Sequence, residues 1–348
     1  MKNILELKKN HMVVGRAATA IYLILKSFEQ SEVIVPVNIC YAAVYPIVFS
    51  NNIPKFCDIN EQDGNITLGA FENAITEHTK AAIIPHMYGN PVKDIQGIKE
   101  VCQDKGILLI EDCASAMGAQ LENQYVGTFG DYVIYSTGYS KTIDVGNGGI
   151  VCSDDSLEHM IFLYKDLPYY SEKIEMQNDL FSKIYRQIRN SKIEYQCQNI
   201  FDVFKLNCQD SFLYQIDKKM EKEIRDSLDT LDSVIKQRRD KQRLFDSLIN
   251  YSNSYMEKYE YSEGSVPWRF NILVEAEKRD EIVKTLLKNM IPVSDWYPPV
   301  SMIFGDYTKY PNAEIMERRI LNFPLLIDDK EIERICKCIN ECTRKENE

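Results

Sequence analysis

The sequence predicts an α/β protein: a large domain built on a mostly parallel sheet covered by helices, joined to a smaller C-terminal α/β domain. Three observations lead there. Short, near-continuous apolar runs recur through the first half of the chain. Amphipathic helical patterns separate them. A long amphipathic helix then precedes a second, shorter alternation of strand and helix. Strands buried on both faces read as unbroken apolar runs, and parallel neighbours need a crossover, usually helical, between them.

Strands are expected at Val33–Ile39, Lys55–Ile59, Ala81–His86, Ile107–Glu111, Asp131–Ser136 and Gly149–Ser153, and helices at Ala17–Phe28, Leu68–Thr76, Ile95–Lys105 and Leu157–Lys165. From Tyr169 to Asp217 the chain is polar with scattered aromatics and offers no clear period. Met220, Ile224, Leu228, Leu231 and Ile235 then mark one long helix from Ile216 to Ile249. Its basic run, Lys236 to Arg243, reads as a solvated face. Arg269–Val274 follows as a strand, with helices at Lys278–Asn289 and Glu331–Glu341. The large domain is placed at 1–250, including the long helix, and the small domain at 251–348.

Composition narrows the function. The 348 residues carry 41 basic against 52 acidic side chains, a net charge of −11, which argues against a generic nucleic-acid binder. No apolar stretch reaches the roughly 18 residues of a membrane span, and residues 1–10 lack a signal-peptide core, so a cytoplasmic protein is expected. The ten cysteines are scattered, several inside apolar runs (Cys57, Cys113, Cys152), where a thiol acts as a small hydrophobe. Cys336, Cys338 and Cys342 cluster without a C-x-x-C pair or a nearby histidine, so no metal site is expected.

Ligands of open α/β sheets bind at the carboxyl ends of strands, and three segments there carry chemistry. Ile107-Leu108-Leu109-Ile110-Glu111-Asp112 ends an apolar strand in two carboxylates, which strand alternation sends to opposite sides. Ile134-Tyr135-Ser136-Thr137-Gly138-Tyr139-Ser140-Lys141 places a lysine after a strand, followed by Gly146-Asn147-Gly148-Gly149. Gly15-Arg16-Ala17-Ala18-Thr19-Ala20 opens an apolar helix, whose free N–H groups suit a phosphate. Lysine, carboxylate and phosphate cradle form the set that pyridoxal phosphate requires.

The order of these segments resembles the DegT/StrS family of sugar aminotransferases, which have the fold type I of pyridoxal-phosphate enzymes. The resemblance runs through Asp58-Ile59-Asn60, Asn65-Ile66-Thr67, Pro85-His86-Met87-Tyr88-Gly89, Glu111-Asp112-Cys113-Ala114-Ser115, Gly127-Thr128-Phe129-Gly130-Asp131 and Ser136 to Gly149. It continues in Trp268-Arg269-Phe270, Trp296-Tyr297-Pro298-Pro299 and Leu321-Asn322-Phe323-Pro324-Leu325. It implies that Lys141 links covalently to the cofactor and serves as the acid–base group, and that Asp112 pairs with the pyridine nitrogen. Ser136 would bind the phosphate with Arg16 and with Ala17 through its N–H, Ser115 would lie near the phenolic oxygen, and Tyr41 would cover the ring. His86, Trp296 and Tyr297 become candidate substrate contacts. A homodimer with its active site at the interface, a nucleotide-sugar acceptor and a glutamate donor are implied as well.

This chain departs from the family pattern in four places. Ser115 stands where a glutamine or histidine is usual, and Arg16 where many relatives have threonine or serine. Cys40 aligns with the stacking aromatic, with Tyr41 next to it. No G-x-N-x-R segment lies between Tyr169 and Asp217. Arg16 is therefore expected to supply phosphate charge. A non-catalytic relative and a sugar dehydratase remain as alternatives; dehydratase relatives usually replace the lysine with histidine, whereas Lys141 is present.

Overall fold

Val33-Ile34-Val35 and Ala81-Ala82-Ile83-Ile84 have no polar face to turn outward, and the chain buries both runs completely. In the computed structural model, which describes residues 4–191 and 208–345, they lie side by side in a seven-stranded sheet. In chain order the large unit comprises β1 (Asn10–Val14), α1 (Ala17–Leu25), β2 (Glu32–Pro36), α2 (Tyr41–Phe49), β3 (Ile53–Cys57), α3 (Leu68–Ala74), β4 (Thr79–Pro85), α4 (Ile95–Lys105) and β5 (Leu108–Asp112). It continues with the short hairpin β6 (Gln120–Leu121) and β7 (Gln124–Tyr125), then β8 (Tyr132–Ser136), β9 (Gly149–Ser153), α5 (Glu158–Tyr164) and α6 (Glu172–Ser191). The sheet order is β1-β9-β8-β5-β4-β2-β3. Strands β3, β2, β4, β5 and β8 run parallel, while β9 is antiparallel to both β8 and β1. The carboxyl ends of β1, β4, β5 and β8 therefore share one edge.

Two elements differ from expectation for physical reasons. The long helix is divided into α7 (Lys218–Ser227) and α8 (Leu231–Leu248) by a 3-10 turn at Leu228–Thr230. Short polar side chains there bond back to the helix, Ser227 Oγ to the Ile224 carbonyl and Thr230 Oγ1 to that of Ser227, at 2.6 and 2.7 Å. Within 169–217 the 20-residue α6 is present; its buried residues Ile174, Phe181 and Tyr185 are a sparse stripe in a polar sequence.

The remaining elements are β10 (Met256–Lys258), β11 (Phe270–Val274), α9 (Arg279–Lys288), α10 (Pro311–Glu317), β12 (Ile320–Phe323) and α11 (Asp329–Cys342). Strands β10, β11 and β12 form an antiparallel sheet. Phe270 stacks on Phe245 of α8 at 4.4 Å, within a core that also holds Ile332, Ile335, Cys336 and Ile339. The other end of α8 packs elsewhere: Leu231 and Ile235 join Val133, Tyr135 and Ile150 of the large sheet. Tyr259, Trp268, Val300, Tyr310 and Met316 enter the cluster around Val33 and Ile83, which brings this part of the chain against the carboxyl edge. Cys338 and Cys342 pack on the small core as apolar groups. No described helix is long and apolar enough to cross a membrane.

Candidate active site

The end of β5 sorts its two carboxylates by strand alternation. Glu111 is fully buried and receives His86 Nε2 at 3.0 Å, the N–H of Gly127, and the N–H groups of Phe129 and Gly130 at 2.9 Å each. Burial alone would raise its pKa; His86 and these backbone donors outweigh that and hold it below the ordinary range. Glu111 thus folds the Gly127–Gly130 loop around itself. Its truncation would strand four buried donors, so Glu111→Ala is expected to cost about 3–5 kcal/mol. Denaturant unfolding checks this, and a loss below about 1 kcal/mol would remove the clamp.

Asp112, one residue on, has a different environment. Among the described residues only the Ala114 N–H donates to it, at 2.9 Å, although the side chain is nearly buried. Burial raises its pKa; the Ala114 bond and the fields of Lys141 and His86 act against this without reversing it. Asp112 is a buried carboxyl with few hydrogen bonds among the described residues.

The lysine loop leaves β8 and returns into β9. Lys141 Nζ donates to Ser115 Oγ at 3.1 Å, which joins the β5 and β8 loops. The Ser115 hydroxyl also interacts with the Tyr297 phenol, whose ring stacks on Trp268 at 5.4 Å. The peptide around Lys141 is pinned from outside: Trp268 Nε1 donates to the Ser140 carbonyl at 2.7 Å and Arg238 to the Lys141 carbonyl at 2.9 Å.

At the same edge, α1 begins. Gly149 pairs with Val14 on one side and with Ser136 on the other, which brings the α1 start beside the end of β8. A Cβ on Gly149 would lie 2.4 Å from the Ala17 nitrogen, so this approach requires glycine. Ser136 Oγ accepts the Gly138 N–H at 3.3 Å. Arg16 caps α1 and bonds Asn178 Oδ1 of α6 at 2.6 Å and the Ser211 carbonyl at 2.8 Å, with its guanidinium 5.4 Å above the Phe212 ring.

Several residues differ from their expected placement. Tyr41, the first residue of α2, packs on Phe181 and Tyr185 at 5.1 and 4.5 Å, within an aromatic cluster. Cys40, at the extended cap position, is the neighbour that feels Lys141, Arg16 and Asp112. His86, expected among substrate contacts, is completely buried, with Nε2 on Glu111 and Nδ1 accepting the Val92 N–H at 2.9 Å; it belongs to the wall. His86, Glu111 and Cys113 have potential ligand atoms within 4.8 Å of one another, yet the ring nitrogens of His86 and both oxygens of Glu111 are already committed to these hydrogen bonds. Trp296 stacks on Tyr185 at 6.1 Å and adjoins Tyr297. The basic run on α8 divides: Lys236 and Arg243 are exposed, whereas Arg238 is 4% exposed. Its place on the stripe of Leu231, Ile235 and Phe245 was the signal for that burial.

Comparison with known proteins settles the family. Residues 4–178 and 224–340 match the DegT/DnrJ/EryC1/StrS aminotransferase family. The chain belongs to it. GDP-perosamine synthase of Escherichia coli O157:H7 is 28% identical over 96% of this chain and 87% of its own. The dTDP-4-dehydro-2,3,6-trideoxy-D-glucose 4-aminotransferase of Saccharopolyspora spinosa is 27% identical over 87% of this chain and 76% of its own. Among solved structures, the aminotransferase TlmJ of Streptoalloteichus hindustanus superposes with a TM-score of 0.78 at 20% identity, covering 97% of this chain and 88% of that one. The fold is thus that of the type I pyridoxal-phosphate enzymes.

The residues of this DegT-family chain fit the cofactor. A buried carboxylate with a single hydrogen bond suits a cationic ring nitrogen. The half-buried Lys141 amine, held by one neutral hydroxyl, suits an aldehyde. The family match breaks between 178 and 224, the stretch that supplies most of α6 and the turn under Arg16.

Proposed function

We propose that the protein transfers an amino group from glutamate to a keto carbon of a nucleotide-linked sugar, in the cytoplasm, for amino-sugar and polysaccharide biosynthesis. The observation that carries this is the juxtaposition of the Lys141 amine and the buried Asp112 carboxylate at one sheet edge, in a chain whose relatives are named as sugar aminotransferases. Bound pyridoxal phosphate supplies an electron sink that makes the carbon–hydrogen bond next to the amine acidic.

Around it, Lys141 Nζ would carry a proton between carbon and nitrogen centres, with the Ser115 hydroxyl as its partner and Tyr297 bonded to Ser115 in turn. Asp112 would pair with the cofactor's ring nitrogen and keep it protonated. Ser136, the Ala17 N–H and the Arg16 charge would hold the phosphate, and Tyr41 or the adjoining Cys40 would lie against the ring. Trp296 and Tyr297 offer flat faces to a sugar.

A second copy of the chain completes the site in this reading. Tyr139, two residues from Lys141, is 84% exposed, and Phe162, Tyr169 and Met176 also expose large apolar surfaces on nearby segments. The nine described cysteines are free thiols, in keeping with a reducing compartment.

The test is incubation of cofactor-loaded protein with glutamate and GDP-, UDP- and dTDP-linked keto sugars. Formation of 2-oxoglutarate in step with an amino sugar is expected for one of them. Release of water from the sugar without nitrogen transfer would make the protein a dehydratase instead.

A further inference from the structure

The basic run on α8 lines a second cleft that the Lys141 site does not use. Asp232, Lys236, Arg239 and Arg243 follow one another at three- and four-residue steps, so they share one face of the helix. Gly118, Gln120 and Tyr125 form the opposite wall of an open cleft of about 490 Å³, with Ile235 as an apolar patch on the helix side. The two walls are fixed to each other. Arg239 Nε donates to the Ser265 carbonyl at 2.9 Å and Nη2 to that of Gly264 at 3.1 Å. The Gly264 carbonyl also accepts the Gln120 N–H at 2.9 Å, and a Cβ on Gly264 would lie 2.0 Å from the Gln120 carbonyl oxygen. Helix, hairpin and the 264–265 segment therefore meet at one guanidinium, whose orientation is set before any ligand arrives. Its Nη1 hydrogen-bonds to no described residue. Lys236 and Arg243 flank it, and both pair with Asp240 in exposed contacts that are worth little and readily exchanged. Burial, and then the charge of Arg243, press the Arg239 pKa down; like charges held together in this way favour an anion between them. Against the three cations stand Asp232 in the lining and Asp240 beside it, which leaves a positive excess in a chain of net charge −11.

We propose that this cleft binds a nucleoside diphosphate at a site separate from the active site. The separation follows from the helix. Neighbouring residues are rotated by about 100°, so Arg238 reaches the Lys141 carbonyl at 2.9 Å while Arg239 turns to the hairpin side. None of the residues assigned to the Lys141 site lines the cleft. The diphosphate follows from the row of cations. At 1.5 Å of rise per residue, Lys236 and Arg243 lie about 10 Å apart along α8, with Arg239 between them. Two linked phosphates match that row better than one, and a guanidinium with a free nitrogen is a strong phosphate donor. The nucleoside follows from the rest of the lining. Tyr125 offers an aromatic face, Ile235 an apolar one and Gln120 an amide that both donates and accepts, none of which an inorganic anion would use. The volume is that of an ordinary small-molecule site.

Calorimetric titration tests this on protein loaded with pyridoxal phosphate and freed of excess cofactor, with GDP, UDP, dTDP and inorganic diphosphate as probes. Wild type is expected to bind at least one of the nucleotides. The double variant Lys236→Gln/Arg243→Gln removes two exposed charges and leaves the Arg239 tethers in place, so its thermal midpoint should not move. It should weaken nucleotide binding about 30-fold or more, the scale of two lost charge-assisted contacts. The rate at which glutamate bleaches the cofactor band should stay within about twofold, because the cleft is not part of that site. Gln120→Glu, which sets a carboxylate in the cleft, should act in the same direction and provides an independent second variant. Nucleotide binding unchanged in both variants overturns the proposal and assigns the nucleotide to the Lys141 site. Inorganic diphosphate binding as tightly as every nucleotide overturns it too, since Tyr125 and Ile235 would then contribute nothing. So does the absence of any nucleotide binding to wild type at concentrations up to about 1 mM, the weak end of specific affinity.

Discussion

Lys141→Ala is expected to abolish amino transfer while leaving the fold intact. The loss should be at least about 10⁴-fold, the upper range for a positioned acid–base group, to which the lost covalent link adds. The expectation of an intact fold comes from what holds the loop. Asp144 binds the Ser140 N–H, Trp268 the Ser140 carbonyl and Arg238 the Lys141 carbonyl, and none of these bonds uses the lysine side chain. Among the described residues the amine itself hydrogen-bonds only to Ser115 Oγ. Truncation therefore frees one hydroxyl and leaves the turn pinned. Absorption spectra with pyridoxal phosphate, before and after glutamate, read the chemistry, and thermal unfolding reads the fold. Wild type should show a band at the blue edge of the visible that glutamate bleaches; the variant should not form it. A variant that still turns over within about tenfold of wild type would remove Lys141 from the acid–base role.

What the sequence made legible follows from which physical signals it carries. Parallel strands buried on both faces have an unmistakable composition, and the six expected in the first half each overlap an observed strand. The pairing of Glu111 with one side and Asp112 with the other follows from the two-residue period of a strand, so it could be read without coordinates. Other features had no one-dimensional signature. Helix α2 is apolar on nearly every face, Tyr41-Ala42-Ala43-Val44-Tyr45-Pro46-Ile47-Val48-Phe49, and so shows no 3.6-residue contrast. Strand β1 is a five-residue edge whose first half faces solvent. Cys40 and Tyr41 illustrate the limit at the site. Both lie at a helix start, and only the coordinates show that Cys40 takes the extended cap position, within the field of Lys141, while Tyr41 packs among aromatics. Arg238 was hidden inside a run of charges, where only its phase relative to Leu231 and Ile235 distinguishes it from solvated neighbours.

Asp112→Asn is expected to separate stability from activity. Without cofactor, burial holds the Asp112 carboxyl above its ordinary range, so folding favours the protonated acid. The sign follows directly. Its contribution to stability is fullest below the unfolded carboxyl pKa of about 3.9 and is lost as pH rises through the higher folded value. At neutral pH the charged form of this carboxyl is therefore the one that burial disfavours. Asparagine keeps an acceptor for the Ala114 N–H and removes the charge, so apo Asp112→Asn should be more stable than apo wild type at pH 7. The difference should shrink as the pH approaches 4. Activity should move the other way. A neutral amide cannot hold a proton at the ring nitrogen, and losing one side of a buried ion pair costs about 3–5 kcal/mol, or roughly 10²–10⁴ in rate. Paired unfolding curves at several pH values, with and without pyridoxal phosphate, measure the first effect, and glutamate-driven bleaching rates measure the second. A variant less stable than wild type as apoprotein at pH 7 would mean that the Asp112 charge already has a partner within the chain. A variant with near wild-type bleaching would move the ring-nitrogen role to another group.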